Sequence, residues 1–304
     1  MTMTCASHVQ AIGKGFPGQL GCFSDDHLEG LTRLAAGIRA EKSLAVVQLH
    51  HAGMRSPLAE IGEQAVCPSD HEETGARALT GEEVERLKED FIAAAERVEK
   101  AGFDGVELHG AHGYILCQFL SPTINQRTDR YGGSLENRSR IMVDIIAGIR
   151  ERCSPGFLWG VRLSPERFDL KLGEILELAQ KLMHEGRIDF LDMSLWDSFK
   201  EPVDTAYQGR TLLSYFTELD RRGVRLGVAG KILTPTQAHA CLEAGVDFVI
   251  LGRAAILHHD FPKQAMDNPD FKPVETPVTK DYLRSQGLGE AFIKYMAGWD
   301  GFVI

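Results

Sequence analysis

The segment Glu107-Leu-His-Gly-Ala-His-Gly-Tyr114 carries two imidazoles and a phenol. His109 and His112 are three residues apart, and Tyr114 follows two residues later. Their side chains converge only if the chain turns sharply, which the glycines at positions 110 and 113 permit. Imidazoles can donate hydrogen bonds to an oxyanion, and a tyrosine can pass a proton to carbon. The segment therefore predicts an oxyanion site with a proton donor. Zinc ligation lacks a convincing third ligand, and the remaining alternative is a polar surface loop.

Two further polar side chains, Gln48 and Arg162, stand in or at the end of apolar, strand-like stretches. A buried guanidinium needs a partner. For Arg162 an anionic ring or phosphate and a structural ion pair with a carboxylate are equally good explanations. Gln48 is suited to hydrogen-bond the edge of a heterocycle, and equally to be a satisfied core amide.

Glycine followed by a cation ends two successive apolar stretches, at Gly230-Lys231 and at Gly252-Arg253. Glycine there lets backbone N–H groups close on a phosphate, and barrels often bind phosphate after their last two strands. The alternative is glycine used for tight turns. The segment from 13 to 18, GKGFPG, formally matches a dinucleotide motif, but proline stands where a helix should open. We therefore expect a loop there and no Rossmann unit.

Short apolar runs alternate with amphipathic helical stretches along the whole chain, which is typical of parallel strands with helical crossovers. Capping boxes at Thr80/Glu83 and Thr234/Gln237 mark two of the helix starts. The pattern predicts an α/β fold, a (β/α)8 TIM barrel in preference to a doubly wound sheet, forming one domain over residues 1–304. The predicted strands are Met1–Ala6, Leu44–Leu49, Gly105–Leu108, Leu158–Leu163, Ile188–Met193, Arg225–Ala229 and Phe248–Leu251.

Composition excludes several classes of function. A net charge of −10 without a basic cluster argues against nucleic-acid binding. The six cysteines include no Cys-x-x-Cys pair, which argues against an iron–sulfur or structural zinc site, so no metal is expected. No apolar run approaches the roughly 20 residues of a membrane span, and there is no signal-peptide pattern. The expected setting is the cytoplasm, with a small molecule as the partner.

Long ordered motifs in the chain resemble the Old Yellow Enzyme family of FMN-dependent ene-reductases and NADH:flavin oxidoreductases. The most specific are GFDGVELHGAHGYILCQFLSP at 102–122 and NQRTDRYGGSLENR at 125–138. QLHHAG at 48–53, GVRLS at 160–164, VAGKI at 228–232 and LGR at 251–253 follow in the family's order. The resemblance covers nearly the whole chain.

The resemblance implies FMN as cofactor and NAD(P)H as reductant. It also implies ping-pong reduction of the C=C bond of α,β-unsaturated carbonyl compounds. His109 and His112 would bind the substrate's carbonyl oxygen, and Tyr114 would donate the proton. The implied flavin contacts are Gln48, Arg162 and the backbone of Ala6 for the ring, and Gly230, Lys231, Gly252 and Arg253 for the phosphate.

The chain departs from the family in two ways. Lys231 stands where the family commonly has glycine. The first strand and its helix are also expected to be missing, and an incomplete barrel leaves unpaired edges. A degenerate flavin-binding barrel with weak or no turnover is therefore the alternative function, and a phosphate-sugar isomerase or aldolase relying on Lys231 ranks last. A homo-oligomer is compatible with the sequence.

Overall fold

A computed structural model describes residues 1–304 of the protein. Its main sheet is built from eight parallel strands that follow one another in chain order. A second, two-stranded sheet is formed by β4 and β5. The strands are β1 (Thr2–Met3), β2 (Ser7–His8), β3 (Ala45–His50), β4 (Val66–Cys67), β5 (Arg77–Ala78), β6 (Gly105–Gly110), β7 (Leu158–Leu163), β8 (Phe190–Ser194), β9 (Arg225–Ala229) and β10 (Phe248–Val249).

The order β1-β3-β6-β7-β8-β9-β10, with β2 also on β3, confirms the barrel prediction. A doubly wound sheet would reverse its strand order partway across, and this sheet does not. The curled sheet is open, because β10 and β1 are not hydrogen-bonded to each other. An eighth strand position of a closed barrel would lie in that gap.

The first strand position is divided between two short strands. Thr2 and Met3 pair with the start of β3, whereas Ser7 and His8 pair with its end. The predicted strand Met1–Ala6 is therefore correctly located, but the observed pairing stops after Met3 and resumes beyond Ala6, at Ser7–His8. Ala6 itself lies in the interruption.

Helices cover the outside of the sheet. They are α1 (Leu28–Ala40), α2 (Leu58–Ile61), α3 (Gly81–Lys100), α4 (Ile115–Leu120), α5 (Leu135–Arg152), α6 (Leu172–His184), α7 (Leu212–Thr217), α8 (Pro235–Glu243), α9 (Arg253–Leu257), α10 (Phe261–Asp267), α11 (Lys280–Ser285) and α12 (Glu290–Met296). Both predicted capping boxes are present, at the starts of α3 and α8. No helix is both long enough and apolar enough to span a membrane.

The core lies between the sheet and these helices. Every residue of β3 and β6 is buried, which explains why both strands read as nearly continuous apolar runs. A separate small cluster joins α9, α11 and α12 near the C-terminus; it contains Leu257, Val278, Leu283, Ile293, Met296 and Phe302. The main core of 55 buried residues therefore positions the strand ends that carry the polar side chains.

Candidate active site

The predicted His-His-Tyr group forms at the carboxyl end of β6. His109 is on the strand, and Tyr114 is the residue immediately before α4. The turn between them is made by His112 and Gly113, at φ 61° and 71°. The expectation that Gly110 also turns the chain is wrong, because Gly110 is the last residue of β6. A Cβ there would lie 2.5 Å from Met142 Cε, so this glycine serves close packing.

A chain of hydrogen bonds joins the two imidazoles to the neighbouring strands. His109 Nε2 and His112 Nδ1 are 3.0 Å apart, and His112 Nε2 is 2.7 Å from Ser194 Oγ. Arg162 Nη2 donates to the same hydroxyl at 3.0 Å. With the hydroxyl accepting from Arg162 and donating to His112, the free N–H at the end of the chain is His109 Nδ1. That buried nitrogen has no hydrogen-bond partner.

The imidazoles near the barrel mouth are neutral. Burial, and then the positive charge of Arg162, lowers the pKa of His112 to about 3. Burial is also the largest cause that holds the pKa of His109 and of His50 well below the usual value. Neutral imidazoles can each present one N–H donor and one acceptor.

His50 is a member of this cluster that sequence reasoning did not select. Its ring lies edge-on to Tyr114 at 4.3 Å and 5.3 Å from the ring of His109, measured between centroids. Adjacent residues of a strand point to opposite sides, so His50 and His51 do not share a face. The same alternation puts His50 on the face of Gln48, and this was the available signal.

Tyr114 is enclosed by His50, His109 and a cation. The guanidinium of Arg55 lies 4.9 Å from the Tyr114 ring centre. Burial raises the pKa of Tyr114, and the positive charge of Arg55 opposes this only in part. The phenol is therefore protonated at neutral pH and able to donate.

Arg162 has a carboxylate partner inside the barrel. Its Nε lies 3.0 Å from Asp192 Oδ2, and Asp192 is fully buried on the neighbouring strand β8. The Arg162 side chain keeps 16% of its surface exposed, and its Nη2 donates to the Ser194 hydroxyl that also bonds His112. Arg162 therefore forms the ion pair and also contacts the imidazole cluster through Ser194.

Gln48 lies one layer further in. Its Nε2 donates to Glu107 Oε1 at 2.6 Å, and the two residues are direct neighbours across β3 and β6. The structure therefore brings Gln48, His109, His112, Tyr114 and Arg162 to one end of the barrel.

The backbone of Ala6 is beside this group. Its carbonyl oxygen accepts a hydrogen bond from Gln19 Nε2 at 2.7 Å. Gln19 in turn accepts from the Gly15 amide at 2.5 Å, and a Cβ on Gly15 would lie 3.6 Å from His50 Nε2. The segment from 13 to 19, correctly expected to be a loop, thus packs beside the His50 edge of the mouth.

The two predicted phosphate segments end adjacent strands but differ in accessibility. A Cβ on Gly230 would lie 2.9 Å from both the backbone nitrogen and the hydroxyl of Ser198. Lys231 is held by Asp197, with Nζ 3.1 Å from Oδ2. By contrast, Gly252 has no atom near its Cβ position, and Arg253 is exposed. The Asp197–Ser198 turn therefore covers the Gly230 half and leaves the Gly252 half open.

Lys231 has a left-handed backbone, at φ 50°. Glycine adopts this conformation without the steric cost that a side chain brings. The lysine is therefore accommodated with some strain, and glycine, which the family resemblance led us to expect here, would avoid it.

A small cavity of about 20 Å³ lies beside His112, between the loops that follow β7 and β8. Arg167 and Trp196 line it, with the guanidinium 3.9 Å from the indole ring centre. Lys200 and Glu166, which form an ion pair, line it as well. A cavity of this size has room for about one water molecule next to the imidazole cluster.

Comparison with known proteins identifies the family of the chain. The model of the NADH:flavin oxidoreductase / NADH oxidase family matches residues 1–269. A probable NADH-dependent flavin oxidoreductase of Bacillus subtilis (strain 168), YqiG, is 37% identical over 314 residues, covering 100% of this chain and 84% of the relative.

Solved structures give the same result. The old yellow enzyme homologue from Zymomonas mobilis superimposes with a TM-score of 0.77 at 27% identity, covering 96% of this chain and 85% of its own. Morphinone reductase in complex with tetrahydroNAD gives a TM-score of 0.77 at 26% identity, covering 99% and 84%. The chain therefore belongs to the NADH:flavin oxidoreductase family, the Old Yellow Enzyme family, and is an NAD(P)H-dependent oxidoreductase with FMN as its cofactor.

Proposed function

We propose that the protein reduces the C=C bond of α,β-unsaturated carbonyl compounds by a ping-pong mechanism, with NAD(P)H and substrate using one site in turn. The observation that carries this is the convergence of His109, His112 and Tyr114 at the barrel mouth, with ring centres 4.9 to 6.4 Å apart. Three groups that can stabilise an oxyanion and deliver a proton meet at the end of the barrel where such sites form.

The flavin ring would lie against Arg162, Gln48 and the backbone of Ala6. Arg162 suits the flavin ring chemically, because its guanidinium is partly exposed. The Nδ1 atom of His109, which has no hydrogen-bond partner, is a further polar group nearby. The phosphate of FMN would be held by Gly230, Lys231, Gly252 and Arg253, after the Asp197–Ser198 turn has moved aside. When bound, FMN accepts hydride from NAD(P)H and supplies it to the β-carbon of the substrate.

The side chains of this protein would manage the oxygen and the proton. His109 and His112, both neutral, would hydrogen-bond the substrate carbonyl oxygen and stabilise the enolate charge that develops there. For His112 this requires a change of tautomer that moves the ring proton to Nε2, with loss of its present bonds to Ser194 and His109. Tyr114, protonated at neutral pH, would then transfer its proton to the α-carbon.

A visible absorption spectrum of the purified chain, with and without added FMN, tests the proposal most directly. Bound flavin should give a yellow protein that bleaches when NADH or NADPH is added without oxygen. Added 2-cyclohexen-1-one should restore the colour as the enone is reduced. A protein that rejects added FMN would contradict the proposal.

The degenerate barrel remains a second candidate, and two observations favour it. The sheet is open between β10 and β1, and the Asp197–Ser198 turn covers Gly230, one half of the proposed phosphate site. Weak FMN binding without oxidation of NAD(P)H would support this function over the ene-reductase.

A further inference from the structure

Two carboxyl groups and one guanidinium lie inside the barrel, next to the imidazole cluster. Glu107 on β6 and Asp192 on β8 are both fully buried, and Arg162 lies on the strand between them. The strand register places Gln48 opposite Glu107 and Arg162 opposite Asp192. These two pairs form one polar group, because Glu107 and Asp192 interact directly with each other.

The charges of this group do not balance if both acids are ionised. Two carboxylates against one guanidinium leave a net charge of −1 in a site without solvent, and an unpaired buried charge is costly. The groups facing the pair are Arg162 from β7 and the neutral Gln48 from β3, while β9 presents Gly227 opposite Asp192. No second cation is available to neutralise it.

The hydrogen bonds show the same deficit. Glu107 Oε1 accepts from Gln48, but Glu107 Oε2 and both oxygens of Asp192 lack a hydrogen-bond donor, although Asp192 Oδ2 is ion-paired with Arg162. One proton between the two acids removes the excess charge and supplies a donor at the same time. Two acids that share a site commonly retain a proton in this way.

We propose that Glu107 and Asp192 hold a single shared proton at neutral pH, and that this acid pair positions Arg162 and Gln48 for the flavin ring. The shared proton is a property of the protein alone. The positioning of Arg162 and Gln48 for the flavin ring rests on the proposed function. Both residues are positioning residues, since both are fully buried and reach the flavin site only through Arg162 and Gln48.

The pKa shifts of the two acids support a shared proton. Burial, followed by the negative charge of Asp192, raises the pKa of Glu107 to about 8. Burial also raises the pKa of Asp192, although Arg162 opposes this. The shared proton is therefore expected mainly on Glu107 and is released near pH 8.

Infrared spectroscopy of the purified protein tests the shared proton. Wild type at pH 7 should show the carbonyl stretch of a protonated carboxylic acid, and the band should shift after labelling with [13C]glutamate, which leaves flavin carbonyls unlabelled. It should disappear with a midpoint near pH 8. Glu174→Gln, which removes an ion-paired carboxylate on α6, is the matched control and should leave the band unchanged.

Two variants separate sharing from simple burial. Glu107→Gln should abolish the band because it removes the protonated group. Asp192→Asn should also abolish it, because Glu107 then becomes the sole counter-ion of Arg162 and ionises. A wild type without the band, a band that survives Glu107→Gln, or one that survives Asp192→Asn would each overturn the proposal.

Stability against pH gives a second measurement that needs no flavin. A carboxyl whose pKa is higher in the folded than in the unfolded state stabilises the protein at low pH, and this contribution is lost as pH rises to the folded pKa. The melting temperature of wild type, relative to that of Glu107→Gln, should therefore fall between about pH 4.5 and 8 and level off above. A constant difference would contradict a titrating pair.

The flavin potential tests the positioning role. Below pH 7 the potentials of wild type and Glu107→Gln should agree, because the amide mimics the protonated acid. Above pH 8 the wild-type potential should fall below that of the variant, because the extra negative charge opposes charge on the reduced ring. Equal potentials at all pH values would overturn the positioning role. Failure to bind FMN would contradict the proposed function and leave the infrared and stability results to decide the proton sharing.

Discussion

At the scale of single residues, the site depends on keeping its imidazoles neutral and its phenol protonated. Burial is the main cause for His50, His109, His112 and Tyr114 alike. The pKa of His112 is lowered and that of Tyr114 is raised, so neither changes protonation between pH 6 and 8. The rate of C=C reduction is therefore expected to vary little between pH 6 and 7, below the titration proposed for Glu107, apart from the flavin's own pH dependence.

Replacing Tyr114 with phenylalanine should separate the two half-reactions. Loss of a general acid lowers a rate by roughly 100- to 10,000-fold, so enone reduction should fall by that order. Flavin reduction by NAD(P)H should be largely retained, because it requires no proton from the phenol. Stopped-flow measurement of each half-reaction checks this, and equal losses in both would contradict the proton-donor role.

His51 is a buried imidazole outside the cluster, and its pKa affects stability. Burial lowers that pKa to about 3, while its Nδ1 accepts the Gly53 amide at 2.9 Å. Because the folded pKa is depressed, its contribution is present above about pH 6.5 and is lost as pH falls towards 3. A group of this kind changes the unfolding free energy by up to roughly 1.4 kcal/mol per pH unit.

Urea unfolding of wild type at pH 7 and pH 5 should therefore show lower stability at pH 5. His51→Asn should reduce the size of that loss, since one titrating imidazole has been removed. An unchanged pH dependence in the variant would show that His51 does not titrate as described.

At the scale of elements, glycines in the strands let aromatic side chains pack across the sheet. A Cβ at Gly160 in β7 would lie 2.1 Å from the Phe190 ring. Overpacking of this kind costs typically 1–3 kcal/mol, and Gly160→Ala should lower the unfolding free energy by about that amount. Gly156→Ala is the matched control, since no atom lies near its Cβ position. Similar stabilities of the two variants, measured by urea unfolding, would be inconsistent with this packing.

The loop after β8 controls access to the proposed phosphate site. Asp197 is ion-paired with Lys231, so its carboxylate would lie close to a phosphate bound by that lysine. An exposed ion pair of this kind is worth up to about 1 kcal/mol, so Asp197→Asn should strengthen FMN binding by up to about fivefold. Flavin fluorescence titration measures this, with Glu201→Gln on the same loop as control. Weaker binding in Asp197→Asn would mean that the carboxylate supports the site.

At the scale of the whole molecule, stability should be uneven around the sheet. β6 and β7 pair with each other over six residues and with β3 and β8 over four residues each, whereas β10 pairs only with β9, over two residues. Sheet edges with few bonds open locally at low cost. Amide hydrogen exchange should therefore be faster in β1 and β10 than in β6 and β7. Equal protection would imply that the edge strands are covered by another element or another copy of the chain.

Local signals in the sequence were sufficient for the elements and for the main chemical group. Alternating apolar runs, the caps at Thr80 and Thr234, and the close spacing of His109, His112 and Tyr114 are properties of neighbouring residues. Active sites of barrels form at the carboxyl ends of the strands, and these residues do lie at the carboxyl end of β6.

Only the tertiary structure could decide what depends on strand register and loop position. Glu107, Arg162 and Asp192 come from three separate strands, so their shared charge balance is invisible along the chain. Three further features are likewise contacts between distant segments of the chain. They are the covering of Gly230 by Ser198, the packing of Gly110 against Met142 and the position of His50 beside Tyr114. The physical reason is that burial, and hence charge state, is set by what packs from other strands and loops.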